Sequence, residues 1–165
     1  MKITLYVFLF LGVHFSFGQR TLIETGRPKP FMERNAQEIA GSKFKVSYAY
    51  VAFQNNPNQL DSINKINEET FIYLEKKHGS QWREKINQEI RDELARLNSF
   101  FEALLAQNVI EENNLVYFTK PRCGKKYRVN VYPNIEPENR SKDNLIKQVK
   151  VKEAGKLNGI KVYIK

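Results

Sequence analysis

Cysteine is almost missing from this chain, since Cys123 is the only one. An intramolecular disulfide is therefore impossible, and stability has to come from packing. Histidine is nearly as scarce, with His14 in an apolar leader and His78 alone beyond it. A histidine-cluster metal site is excluded, and a thiol–imidazole pair reduces to Cys123 with His78, far apart in sequence. No glycine-rich phosphate loop and no loop of spaced aspartates occurs, so the motifs for nucleotides and calcium are absent and neither cofactor nor metal is expected. Long apolar runs are missing as well, apart from one near the start.

That run covers residues 3–13. Lys2 gives it a positive start, and Ser16-Phe17-Gly18 puts small residues where a signal peptidase reads, so residues 1–18 are expected to be a signal peptide cleaved before Gln19. The run is short for a bilayer and is followed by Gln19 and Arg20, which makes an uncleaved anchor the weaker alternative. No cysteine stands at the cut to carry a lipid, and no later segment is apolar enough to cross a membrane. The expected product is exported, either periplasmic or secreted. Losing Lys2 lowers the formal charge from +9 to +8. Such a surplus draws anionic surfaces, acidic proteins or polyanions at long range; the plainer reading is a solvated basic surface that keeps the protein soluble.

The chain beyond the leader is built around residues 80–107. Trp82, Ile86, Ile90, Leu94, Leu97, Phe101, Leu104 and Leu105 recur at spacings of three and four, with charged residues between them. This is an amphipathic helix of about seven turns with one broad apolar stripe. Gly79 is placed to end the preceding helix in the left-handed region, and Ser80 to cap the next. That preceding helix carries Leu60, Ile63, Ile66, Thr70, Phe71 and Leu74 at helical spacing and runs as far as Lys77. Before it, residues 19–32 read as an extended, poorly ordered lead-in containing Gly26, Pro28 and Pro30, and residues 33–40 as two helical turns stopped by Gly41. Residues 43–53 alternate at period two and read as a strand. A turn at Asn55, Asn56, Pro57 and Asn58 follows.

The segment Leu74-Glu75-Lys76-Lys77-His78-Gly79, with Trp82 three residues on, resembles an uncharacterised family of small exported bacterial proteins. The family is named for a Phe-Glu-Lys-Lys-Tyr motif (FEKKY) followed by glycine and then tryptophan. The likeness covers about residues 33–97. Leu74 stands where the motif has phenylalanine, and His78 where it has tyrosine. The resemblance implies export and a fold expectation, and no reaction.

After the central helix, residues 115–118 and 127–132 read as a hairpin whose loop is basic and contains Pro121 and Gly124. Residues 134–140 are linker-like. Residues 143–154 fit either a helix on Leu145, Ile146, Val149 and Ala154 or a strand on Val149 and Val151; a short helical start running into a strand is preferred. Residues 160–164 form a terminal strand, and Asn158-Gly159 before it signals a two-residue hairpin. The expected fold is α+β: a small single domain over 33–165, with two consecutive long helices packed on one face of a mainly antiparallel sheet.

Candidate chemistry is sparse. Ser62 and Lys65 have the spacing of penicillin-recognising enzymes, but the companion motifs are absent. Glu68, Glu69 and Glu75 offer a carboxylate group for a glycosidase, yet they fall on the polar side of a helix, as plain surface residues do. His78 reads as a helix-terminal residue whose partial charge suits the helix dipole. Cys123 reads as a buried structural thiol, or alternatively as a reactive or intermolecular one beside Arg122, Lys125 and Lys126. The densest signal is Lys120, Arg122, Lys125, Lys126 and Arg128, near Phe118 and Tyr127, with Lys147, Lys150 and Lys152 joining if the late strands are adjacent. Basic residues among aromatics suit a polyanion. Export favours an anionic glycan, a lipid surface or an acidic protein over nucleic acid. Three readings follow, in this order: a non-enzymatic envelope or secreted protein, a binding module for an anionic partner, and a hydrolase with an unrecognised site.

Overall fold

The computed structural model of the chain describes residues 20–52, 57–120, 126–154 and 159–164. The leader 1–18, Asn55, Asn56, Pro121, Arg122, Cys123, Gly124, Lys125 and Asn158 lie outside the described residues. The described elements run β1 (Arg20–Thr25), α1 (Phe31–Phe44), β2 (Val46–Val51), α2 (Pro57–His78), α3 (Trp82–Ala106), β3 (Leu115–Thr119), β4 (Tyr127–Tyr132), β5 (Lys147–Ala154) and β6 (Gly159–Ile164). The class is α+β with a mainly antiparallel sheet, as its patterning implies. The chain gathers into two compact units, one drawing its described residues from Met1–Arg27 and Gly41–Trp82, the other from Pro28–Ala40 and Arg83–Lys165.

In the first unit β1 and β2 pair in parallel, from Arg20 opposite Val46 to Thr25 opposite Val51. Residues 20–25 are extended, as the lead-in reads from sequence, but they are ordered rather than loose: the β-branched Thr21, Ile23 and Thr25 form a strand that buries Leu22. Gly26, at φ +110°, ends it. Parallel strands need a long crossover, and α1 supplies it. Gly41 does not stop α1, which continues to Phe44 until Lys45 turns into the left-handed region at φ 59°. A Cβ on Gly41 would meet the Val46 carbonyl oxygen at 2.7 Å and a Tyr48 ring carbon at 2.9 Å, so this glycine serves close approach rather than termination. The outer edge of β1 is held by α2. Asn67 Oδ1 accepts from the Ile23 N–H at 2.8 Å, its Nδ2 donates to the Ile23 carbonyl at 2.9 Å, and Thr70 Oγ1 donates to the Thr21 carbonyl at 3.0 Å. Pro57 opens α2, a position where its missing N–H costs nothing. Gly79 at φ +83° closes it in the left-handed conformation the sequence implies.

The second unit holds the sheet β3-β4-β5-β6, antiparallel throughout. On one face Val116, Phe118, Tyr127, Val129, Val131, Val149 and Val151 pack with Ala36 and Ile39 of α1 and Leu97, Phe100 and Leu104 of α3. The buried line of α3 passes through Phe100, whereas Leu94, Phe101 and Leu105 flank it half-buried. The C-terminus of α3 is a Schellman motif: Asn108 takes φ 52°, Val109 N–H donates to the Leu104 carbonyl and Asn108 N–H to that of Leu105, each at 2.9 Å. The preferred helical start over 143–146 does not form. Asn144 N–H donates to Ser141 Oγ at 3.3 Å and its Nδ2 to the Asn139 carbonyl at 2.8 Å, a local bonding that competes with helix, and β5 begins at Lys147. No described helix is long and apolar enough to cross a membrane.

Candidate anion-binding face

Side chains alternate across a strand, so the face opposite the core carries the residues between the buried ones. The pairing aligns them into rows. Arg128 lies opposite Lys150, and Lys150 opposite Tyr163; Lys152 lies opposite Lys161; Asn130 lies opposite Gln148. Lys126 joins this face, its Nζ 3.7 Å from the centroid of the Tyr163 ring, a cation–π contact. Arg128, Lys126 and Lys161 are exposed, and Lys150 and Lys152 are half-buried. In the described strands no Asp or Glu occupies an outward position; Glu153 has core-side parity and bonds Arg96 Nε at 2.8 Å.

The other end of the face is covered. The Arg140 guanidinium lies 4.3 Å from the Tyr117 ring centroid and 5.1 Å from that of Phe31, while Tyr132 is 7% exposed. Tyr117 donates to Glu38 Oε2 at 2.7 Å, and Arg34 Nη1 bonds Glu138 Oε1 at 3.1 Å. Burial first, then the Glu38 charge and hydrogen bond, push the Tyr117 phenol above its ordinary pKa. The open part is thus the basic part.

Of the five basic residues singled out in the sequence, Lys126 and Arg128 lie on this face, while Arg122 and Lys125 fall outside the described residues. Lys120 does not join them. One strand position removed, it turns to the core side, where its Nζ lies 3.4 Å from Glu93 Oε2 and 5.2 Å from the Tyr127 ring centroid. The physical reason is Glu93, a carboxylate at 0% exposure that requires compensation. Arg96 Nη1 bonds it at 2.7 Å, and the Tyr127 hydroxyl donates to its other oxygen. Burial, then the hydrogen bond to Glu93, raises the Tyr127 pKa. With a phenol, a guanidinium and an ammonium on its two oxygens, Glu93 is a neutralised structural charge.

Lys150 and Lys152 extend the basic face as the adjacency of β4 and β5 requires, but Lys147 sits at core-side parity. Lys161 and Tyr163 complete it, and sequence reasoning left them out although the Asn158-Gly159 signal had already paired their strand with β5. His78 ends α2 against Phe44, ring centroids 5.1 Å apart, and Cys123 lies outside the described residues. Glu68, Glu69, Glu75, Ser62 and Lys65 are exposed on α2, and the Ser62 hydroxyl is bonded to the Asn58 carbonyl at 2.9 Å. Among the described residues no three His, Cys, Asp or Glu side chains gather as metal ligands. No protein-family model, curated protein or solved structure matches this chain.

Proposed function

We propose that the chain is an exported, non-enzymatic binding protein that holds an anionic partner on the outward face of its four-stranded sheet. The observation carrying this reading is the cross-strand placement of like charges, Arg128 against Lys150 and Lys152 against Lys161. Directly opposed like charges destabilise a sheet, and an anion laid across both pairs would relieve the repulsion. Tyr163 beside Lys126 adds an aromatic surface to the charge. Export is supported by Lys2, the apolar run 3–13 and Ser16-Phe17-Gly18, and by what the likeness to the FEKKY-motif family implies.

Binding to a sulfated glycan, an acidic peptide and anionic vesicles is measured over a range of salt, because attraction to a net charge is also screened and salt dependence alone decides nothing. The deciding comparison is positional. Charge reversal at Arg128, Lys150 and Lys161 is set against the same reversal at the exposed Lys65, Lys76 and Lys142, with folding checked in both. A binding face predicts that the first set loses far more affinity; equal losses for every ligand reduce the face to general basicity. Intact mass of exported material tests the leader, with Gln19 expected as the first residue.

A further inference from the structure

The two edges of the antiparallel sheet are treated differently. At β3, Asn35, 1% exposed, donates from Nδ2 to the Phe118 carbonyl at 2.8 Å, and its Oδ1 accepts from the Phe118 N–H at 2.8 Å. The side chain thereby fills the place of a neighbouring strand. At β6 no described residue pairs with the outer edge.

The direction of the β6 backbone groups follows from Asn35. Phe118 turns its N–H and C=O away from β4, so it and Val129 are a non-hydrogen-bonded pair. Alternation then makes Val129 with Val149 a hydrogen-bonded pair, and likewise Lys150 with Tyr163. The N–H and C=O groups of Ile160 and Val162 consequently point out of the sheet. Their side chains continue the apolar core face, whereas Lys161 and Tyr163 continue the basic one.

We infer that the anionic partner is an extended acidic polypeptide segment that adds to the edge of β6 as a further strand. This rests on the basic-face reading and names its ligand. An added strand would accept and donate main-chain hydrogen bonds at Ile160 and Val162. Its alternate side chains would fall on the two faces, apolar ones beside Ile160 and Val162, carboxylates beside Lys161, with Lys152 one strand further in. A free edge also invites a second copy of the same chain, and lysine on an edge strand opposes that. Pairing β6 with β6 about a two-fold axis would bring two basic faces side by side, while an acidic strand meets opposite charge. The same lysines therefore repel one occupant and attract the other.

The experiment uses the full chain and a synthetic peptide in which glutamate alternates with valine, with poly-glutamate and a sulfated glycan as charged ligands lacking that pattern. Backbone amide exchange is followed by NMR in the unaltered protein. The alternating peptide is expected to slow exchange at Ile160 and Val162 together at least about tenfold, and the glycan to leave both fast, because a strand bonds both outward amides in register whereas the glycan is drawn to the lysine face. Val162→Pro, which removes one outward N–H and no charge, is expected to weaken the alternating peptide about tenfold or more and to leave the glycan unaffected. Should Val162→Pro impair folding, the exchange result decides alone. Unchanged exchange at Ile160 and Val162 in saturating peptide overturns strand addition, as does protection that rises with protein concentration without peptide, which would make a second copy the occupant. The face reading stands or falls separately: it fails if reversal at Arg128, Lys150 and Lys161 costs every ligand no more affinity than reversal at Lys65, Lys76 and Lys142.

Discussion

The carboxamide of Asn35 closes two hydrogen bonds, both at 2.8 Å, on the backbone of Phe118. Asn67 does the same for Ile23 in the first unit, at 2.8 and 2.9 Å. An edge strand exposes unpaired N–H and C=O groups, and a planar amide is the one side chain that offers a donor and an acceptor in the geometry of a neighbouring peptide. Replacing it leaves both backbone groups unsatisfied. Asn35→Ala is expected to destabilise by about 2–3 kcal/mol in denaturant unfolding, and Asn67→Ala, at a half-buried site, by about 1–2 kcal/mol. Asn35→Asp should recover little, since an ionised carboxylate accepts but cannot donate. A loss at Asn35 under about 0.5 kcal/mol would show that water replaces the amide.

Glu93 sets a second expectation. Glu93→Gln removes the charge that Arg96 and Lys120 face, and breaking a buried pair costs about 3–5 kcal/mol. Both cations are partly solvated and Arg96 retains Glu153, so the cost here should be smaller, about 2–3 kcal/mol. Tyr127→Phe leaves the charges in place and should cost about 1–2 kcal/mol. Equilibrium unfolding of both variants checks the order.

Periodicity made α2, α3 and three of the antiparallel strands legible, because each buries one face and repeats at its own period; β5 stayed open between helix and strand, since Val149 fits both periods. Periodicity did not reveal β1, whose partner β2 lies on the far side of a helix, since pairing over such a separation leaves no local mark. Gly41 misled for a similar reason: glycine reads as a breaker from sequence, and only the passing Val46 carbonyl explains one inside a helix. The basic face was half legible. Charge density pointed to 120–128, but assigning each lysine to a face needs register, and register places Lys120 with Glu93 and Lys161 beside Lys152. Glu93 itself carried no signal, because an acidic residue on an amphipathic helix is ordinarily solvated.

Gly41 yields a test of close approach. In Gly41→Ala the methyl group would stand 2.7 Å from a backbone oxygen that cannot rotate away, so β2 must shift, at an expected cost of about 1–3 kcal/mol despite alanine's better helix propensity. Gly79→Ala meets nothing within 4 Å, and its cost, about 1–2 kcal/mol, should be purely that of the left-handed backbone. Asparagine tolerates that backbone, so Gly79→Asn should recover part of the loss whereas Gly41→Asn should be worse than alanine. Thermal unfolding of the four variants separates the two causes.

Alkaline pH offers the last test. Tyr48, Tyr117 and Tyr127 all have phenols held protonated above the ordinary tyrosine range: Tyr48 by burial and then the Glu24 charge, Tyr117 and Tyr127 by burial and then Glu38 and Glu93. A group whose pKa is raised on folding binds its proton more tightly in the folded chain. Its contribution is therefore complete below the unfolded value, about pH 10, and is lost as pH climbs beyond it, because the unfolded chain ionises first. Stability should fall from about pH 10 upward, and Tyr127→Phe, although less stable at neutral pH, should show a shallower fall. The difference between the parent and the phenylalanine variant isolates the phenol. Phenolate absorbance gives an independent reading: Tyr127 and Tyr117 should ionise together with unfolding rather than before it. A parent and a Tyr127→Phe chain with identical pH slopes would show that the phenol ionises as readily folded as unfolded, and that its bond to Glu93 does not hold the proton in place.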